Sequence, residues 1–417
     1  GGKTYSVTEY TMSEIIASVY EKIEQTGFKE GILFIDEINC VSETLAPTML
    51  QFLQCKTFGN QKVPEGWIIV AAGNPPEYNR SVREFDVVTL DRIKKIDVEA
   101  DFGVWKEYAY QTGIHQAIIS YLELKKENFY RVETTIDGKL FATARGWEDL
   151  SNMIMVYEEL GIPMDREVVE QYIQHWKIAK DFANYLELYY KYRKDYKVEE
   201  ILQGHITEEA CDKIRRAAFD EKLSVIGLLI ARLHECFFHS AQTDAFVTEL
   251  YGKLKLVKER METEAVLSVL EELCVQYERE TEQLKKAQQL DKETQHLRIR
   301  LLQKLEQYRD EIKTDHLDGD EAFSHIREQF GQETKKREQM LDKTDQSLNF
   351  AFDFMEKTFG DSQEMVIFLT ELNTDYYAVW YVDQNGCDRY YKYNRSLLFS
   401  ERQKGIMQEL TEIEEMI

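Results

Sequence analysis

Two short apolar runs near the start of the chain each end abruptly in polar side chains. Gly31-Ile-Leu-Phe-Ile35 leads into Asp36-Glu37-Ile38-Asn39, and Trp67-Ile-Ile-Val-Ala-Ala-Gly73 leads into Asn74-Pro75-Pro76. Runs of this length, bounded by turn residues, predict strands buried on both faces, as in a parallel sheet. Between them a helical pattern from about Ser42 to Gln54 carries Pro47 in its first turn, where the missing N–H costs nothing. A polar loop with Gly59-Asn60 and Pro64-Glu65-Gly66 follows. Strand, helix, loop, strand is a βαβ unit with a right-handed crossover. Its parallel strands put Asp36, Glu37 and Asn74 on one edge. Open α/β sheets bind ligands at that carboxyl edge.

Ahead of the first strand one helix is predicted from about Thr11 to Gln25. No proline follows Pro163, so helix is the default over the rest of the chain. Residues 103–203 show Trp105, Tyr108, Ile118, Ile119, Leu122, Trp147, Leu150, Ile154 and Tyr157 at helical spacing. A hairpin interrupts them, with Asp137-Gly138 as a two-residue turn between Val132–Ile136 and Leu140–Thr143. The tyrosines between Tyr185 and Tyr192 are expected to cap a core. From about Gly204 a separate helical domain is expected. Leu270, Cys274, Tyr277, Thr281 and Leu284, then Leu301, Leu305, Tyr308 and Ile312, step by three and four. That is a coiled-coil-like seam, interrupted by the polar stretch Ala287–His296. A second long helix is expected from about Glu321 to Lys357, after a turn over Asp315–Asp320. The predicted domains are 1–102, 103–203 and 204–417. Aromatics from Tyr376 to Tyr393, with a tight turn at Asn385-Gly386, are expected to anchor the C-terminal segment to the core.

Adjacent carboxylates at a strand end suit phosphoryl-transfer chemistry. One can hold Mg²⁺ through its water shell and the next can orient an attacking water. The same run also describes a plain strand ending in two solvated acids. Charge narrows the partners. The formal net charge is -24 over 417 residues, which argues against a general nucleic-acid or anionic-membrane role. Six cysteines lie scattered without a CxxC pair and suit a reducing compartment such as the cytoplasm. His234 and His239 bracket Cys236 with Phe237-Phe238 between them, a buried helix face rather than a metal site. Asp315-His-Leu-Asp-Gly-Asp320 lacks the spacing and final glutamate of a calcium loop. No signal peptide or 18-residue apolar run is evident.

Four segments, in order, resemble AAA+ ATPases. Ile32–Glu37 resembles a Walker B strand and Ile68–Asn74 the strand of sensor 1. Thr89-Leu-Asp-Arg-Ile93 resembles the arginine-finger segment, and Thr143-Ala-Arg-Gly-Trp-Glu-Asp-Leu150 the sensor 2 segment at a helix start. Asp-Glu-Ile-Asn, Ala-Ala-Gly-Asn-Pro, Leu-Asp-Arg and Arg-Gly-Trp-Glu are similar to the MoxR subfamily. Ile93 stands where that family usually has Phe. The resemblance covers roughly residues 1–200. It implies a partial α/β P-loop NTPase-type core, a helical lid over 103–203, and an added helical C-terminal domain with long coiled-coil-like helices. It also implies ATP and Mg²⁺ as ligands, with Asp36 serving Mg²⁺ through water and Glu37 as the base. Asn74 and Arg145 would contact the γ-phosphate, and Arg92 would reach a neighbouring subunit's nucleotide. The implied assembly is a homo-oligomeric ring, a hexamer by resemblance. It would remodel or activate protein partners, von Willebrand A domain proteins among them. A reading from a different class is a non-catalytic helical scaffold.

A phosphate cradle needs Gly-x-x-x-x-Gly-Lys-Ser/Thr between a strand and a helix. Gly1-Gly2-Lys3-Thr4 looks like the tail of that motif. However, Tyr5-Ser-Val-Thr-Glu-Tyr10 alternates and favours strand. The interval from Lys3 to Asp36 holds one helix where a P-loop fold needs two and a strand. Gly1–Tyr10 is therefore expected to belong to a hairpin inserted ahead of that helix, as MoxR proteins have. The P-loop itself is expected upstream of residue 1.

Overall fold

The computed structural model describes residues 14–40, 46–58, 61–75, 87–91, 93–135 and 138–395. It is mostly helical, at 73% helix, with sixteen α-helices and three two-stranded sheets among the described residues. The chain starts with α1 (Glu14–Thr26), β1 (Gly31–Ile35), α2 (Ala46–Cys55), β2 (Thr57–Phe58), β3 (Gln61–Lys62), β4 (Trp67–Ala71) and α3 (Val87–Leu90). Then come α4 (Phe102–Thr112), α5 (Gln116–Leu124), β5 (Arg131–Thr135), β6 (Gly138–Ala142), α6 (Ala144–Leu160), α7 (Arg166–Tyr172), α8 (Trp176–Tyr196), α9 (Val198–Ile201) and α10 (Glu208–Arg215). Six more helices finish it: α11 (Phe219–Arg260), α12 (Val266–Lys286), α13 (Lys292–Thr314), α14 (Gly319–Thr358), α15 (Gln363–Thr374) and α16 (Tyr376–Asn385).

Two compact units form: Gly1–Val98 with Val257–Ala322, and Glu99–Leu256 with Phe323–Ile417. The boundary expected at 102/103 lies close to the first division. The boundary expected at 203/204 falls inside the second unit, because Leu229, Leu233 and Phe237 of α11 join the same core as Ile118 of α5 and Phe182 of α8.

In the first unit β1 and β4 pair in parallel, with Ile32 opposite Ile68 and Ile35 opposite Ala71. This is the expected βαβ order, with α2 between the strands. The predicted loop after α2 contains a short antiparallel pair, β2 and β3. Ile16 and Val19 of α1 and Phe52 of α2 cover one face, packing with Leu33, Ile35 and Ile69. The other face is open. Ile32, Phe34, Ile68 and Val70 are exposed, so the strands are not buried on both faces as their composition predicts. Among the described residues the sheet has two strands, with α1 and α2 packed on the Leu33, Ile35 and Ile69 side, and a continuous apolar run is buried twice only where both sides are covered. The α12–α13 pair forms the helical hairpin of this unit. It buries Leu270, Cys274 and Tyr277 on α12 and Leu301, Leu305, Tyr308 and Ile312 on α13. The expected interruption of the seam is the hairpin turn itself, with Gln288 at φ 57°. The Arg298 guanidinium sits 4.1 Å from the Tyr277 ring centroid, and its Nε donates to Thr281 Oγ1 at 2.8 Å. Lys22 Nζ of α1 donates to the Lys286 carbonyl at 2.7 Å, holding the hairpin to the α/β piece.

The second unit is built around Trp147. Its ring lies 5.8 Å from Tyr121 and 5.3 Å from Phe182. Its indole N–H donates to the carbonyls of Asn128 and Phe129, both at 3.2 Å. Capping sets many of the helix limits. Thr143 accepts from Gly146 N to start α6, and Gly161, at φ 66°, closes it in the left-handed conformation that glycine adopts without a Cβ penalty. The expected hairpin is β5–β6, with Thr135 opposite Gly138. Gly138 is already paired in β6, and Asp137 of the expected Asp137-Gly138 turn lies outside the described residues. Tyr108 differs from its expected core place. It is exposed, because its phenol can pair with Glu148 Oε1 at 2.9 Å while Trp105 and Ala109 fill the interior. Tyr189 is buried, as expected of the tyrosine-rich stretch, and burial pushes the half-buried Tyr185 phenol up to about 12.

His234 lies on α11 with its Nδ1 at 2.9 Å from the buried Asp375 carboxylate, which also caps α16. Tyr377, Tyr381 and Tyr390 are buried, and the Tyr381 hydroxyl donates to the Leu341 carbonyl at 2.9 Å, so the C-terminal aromatics do anchor this segment. α14 matches the second long helix predicted from about Glu321 to Lys357. One described helix, α11, is long and apolar enough to cross a bilayer by length and composition alone, and Leu229, Leu233 and Phe237 on it are buried in the core of the second unit, as in a core helix.

The Thr143 cap gives a modest test of this architecture. Thr143→Ala is expected to lower stability by about 1 kcal/mol. Urea unfolding followed by circular dichroism checks it, and an unchanged midpoint would remove the cap from the account.

Candidate functional site

The carboxyl edge of the β1–β4 sheet brings together three of the residues singled out from the sequence. Asp36 and Glu37 follow Ile35 directly, and Asn74 follows Ala71 by three residues, with Ile35 and Ala71 register partners. A tight turn over residues 36–39 gives the edge its shape. Glu37 holds a left-handed backbone, φ 52°, which non-glycine residues adopt at a cost. Asp36 Oδ1 accepts the Glu37 N–H at 2.9 Å, and the Glu37 carbonyl accepts from Cys40 N at 2.9 Å. The turn is laced to the neighbouring strand end. Ala72 N donates to the Ile35 carbonyl and Ile38 N to the Ala72 carbonyl, both at 2.9 Å. The result is that Asp36 and Glu37 are exposed while Ile38 is buried under them.

Asn39 is the residue that sequence reasoning passed over. Its Nδ2 donates to the Asn74 carbonyl at 2.8 Å and ties the two loops together. Its Oδ1 is buried without a hydrogen-bond partner in the fold. A Cβ at position 73 would come within 2.4 Å of that oxygen, so Gly73 is what lets the loops approach. The signal was present in the sequence. A polar residue four positions past one strand faces a glycine two past its parallel neighbour.

Arg145 lies in the first turn of α6, exposed, at the helix start its motif predicts, and belongs to the second unit. Arg92 lies outside the described residues, as do Lys3 and Thr4. The fold therefore gathers Asp36, Glu37, Asn39 and Asn74.

The donor set suits a hydrated hard cation. Two exposed carboxylates supply oxygen ligands, which Mg²⁺ prefers, while the Asn39 amide oxygen is buried against Gly73. No group of three or more His, Cys, Asp or Glu residues that could hold a metal by themselves occurs among the described residues. A cation at this edge would therefore need water and substrate phosphates to complete its shell, as Mg²⁺ commonly does. No protein-family model matches the chain, no curated protein matches it, and no solved structure matches its fold.

Proposed function

We propose that this chain carries part of the ATP-hydrolysing centre of a MoxR-like AAA+ ATPase. One observation carries the reading: the parallel register of β1 and β4 sets Asp36, Glu37 and Asn74 on one strand-end edge, joined by the Asn39–Asn74 hydrogen bond. In this proposal Asp36 holds the water shell of Mg²⁺, and Glu37 orients and deprotonates the attacking water. The Asn74 amide reads the γ-phosphate position. Bound Mg²⁺ neutralises charge on the phosphates. By resemblance, Arg92 would stabilise transferring charge at a neighbour's site in a ring. Hydrolysis would drive remodelling or activation of a protein partner, with von Willebrand A domain proteins the class suggested by resemblance alone.

A second reading has its own observation. The fold is 73% helix and displays the long α12–α13 hairpin, which suits a scaffold that binds protein without turnover. Steady-state hydrolysis of Mg²⁺-ATP by the full-length protein separates the two. Turnover near the 1 s⁻¹ typical of slower enzymes is expected, roughly. Hydrolysis no faster than buffer, in an assembled oligomer, would leave the scaffold.

Residues 1–417 alone are expected to bind ATP weakly, in the millimolar range or not at all. No described strand runs through a Gly-x-x-x-x-Gly-Lys-Ser/Thr turn, and phosphate affinity rests on such amides and their lysine. Calorimetric titration measures this. Micromolar binding lost in Lys3→Ala would show that Gly1–Thr4 is a working phosphate loop.

A further inference from the structure

The strand ladder stops short of Asn74. Its last pair is Ile35 with Ala71, where β4 ends, three residues before that asparagine. Two backbone bonds carry the lacing one residue further, and both end at Ala72. Among the described residues, the next hold on this loop is a side chain. Asn39 Nδ2 donates to the Asn74 carbonyl at 2.8 Å.

Asn39 is itself well seated for that task. It closes the tight turn that presents Asp36 and Glu37, and Ile38 before it is buried. Its Oδ1 is buried without a hydrogen-bond partner, against Gly73, where a Cβ would collide with it. A buried acceptor left unpaired is costly, and such a group in a native fold calls for an explanation. Here the cost accompanies a pose that aims Nδ2 at one backbone atom of residue 74. The carbonyl and the side chain of Asn74 hang from the same Cα, so a bond that fixes the first limits where the second can reach. Asp36 and Glu37 belong to the same turn as Asn39. One side chain therefore sets the separation between the two acids and Asn74.

We propose that Asn39 is a positioning residue of the ATP-hydrolysing centre and acts through Asn74. It holds the Asn74 amide in place opposite Asp36 and Glu37, and it touches neither the nucleotide nor the attacking water. The inference rests on the ATPase reading above.

The test is steady-state hydrolysis of Mg²⁺-ATP by the full-length protein and its variants. Asn39→Ala is expected to lower kcat about 10²-fold, the usual cost of misplacing an orienting group by about 1 Å. KM is expected to stay within a few-fold of wild type, because the loss falls on the transition state. Asn74 is exposed, so its freed carbonyl meets water and the variant keeps its circular-dichroism spectrum. Gly73→Ala crowds the same amide from the other side and is expected to reproduce the loss. Asn74→Ala is expected to cost at least as much as Asn39→Ala. The Asn39→Ala/Asn74→Ala double variant is expected to be no slower than Asn74→Ala, since Asn39 then has nothing left to position. A residue that only staples the fold would lower the unfolding midpoint and leave kcat per folded molecule unchanged. Glu37→Gln runs alongside to separate the two claims. If it abolishes turnover while Asn39→Ala and Gly73→Ala stay within a few-fold of wild type, the positioning role is overturned and the ATPase reading stands. A double variant slower by the product of the single losses overturns the role as well. Turnover untouched by Glu37→Gln, or absent from the wild type, overturns the ATPase reading and the positioning role with it.

Discussion

Glu37→Gln is expected to reduce ATP turnover by the full-length protein about 10²- to 10⁴-fold while nucleotide binding stays close to wild type. The amide keeps the shape of the side chain and the left-handed turn that presents it, φ 52° at Glu37. It cannot accept a proton from water. Loss without a change in affinity is the mark of an interaction made in the transition state. Turnover within a few-fold of wild type would remove Glu37 from the chemistry. The same variant tests the ring. Arg92→Ala is expected to lose orders of magnitude in rate as well, and Arg92→Lys to recover little, because a point charge does not reproduce a planar fork. Mixed rings of Glu37→Gln and Arg92→Ala subunits then contain some interfaces where an intact Arg92 meets an intact Glu37. Activity that neither variant has alone is the expected result. No recovery in mixtures shown to co-assemble would take Arg92 out of the site and leave Arg80 or Arg83 as the next candidates.

Lys106→Met is expected to destabilise the second unit by about 3–5 kcal/mol. Lys106 is 5% exposed and pairs with both Glu371 and, at 2.9 Å, Glu123. Burial alone would push its pKa down, but the two carboxylates more than offset this and hold the ammonium charged. Glu371 is equally buried and also accepts the Tyr110 hydroxyl at 2.6 Å. Removing the lysine strands a carboxylate in the interior. Glu371→Gln in the same chain is expected to return part of the loss, since a neutral amide is far cheaper to bury than an unpaired charge. Urea unfolding of the single and double variants checks this. A double variant as unstable as the sum of the singles would show the pair to be uncoupled.

That ion network shows where sequence reading stops. Lys106 and Glu371 are 265 positions apart, and nothing local in either segment points to the other. The open sheet face is a second case. Gly31–Ile35 reads as doubly buried because composition reports a strand's fitness for cover, and only the placement of elements decides that, among the described residues, α1 and α2 pack on the Leu33 and Ile35 side while Ile32 and Phe34 stay exposed. The hairpin of α12 and α13 is a third. Heptad-like spacing exposed the seam residues, but a polar interruption and a reversal look alike until Leu270 and Leu305 are seen within one packed pair.

By itself, the amino-acid order determined what is local or periodic. It set the βαβ order, the two strand ends with Asp36, Glu37 and Asn74, the helix start before Arg145, and the long helices after Pro163, because strand and helix periods and capping chemistry are written within a few residues. Tertiary structure alone decided that Asn39 ties the two strand-end loops together, that α11 shares a core with α5 and α8, and that Lys106 meets Glu371. Each of these depends on which distant surfaces meet, and burial free energy settles that over the whole fold, without regard to sequence separation.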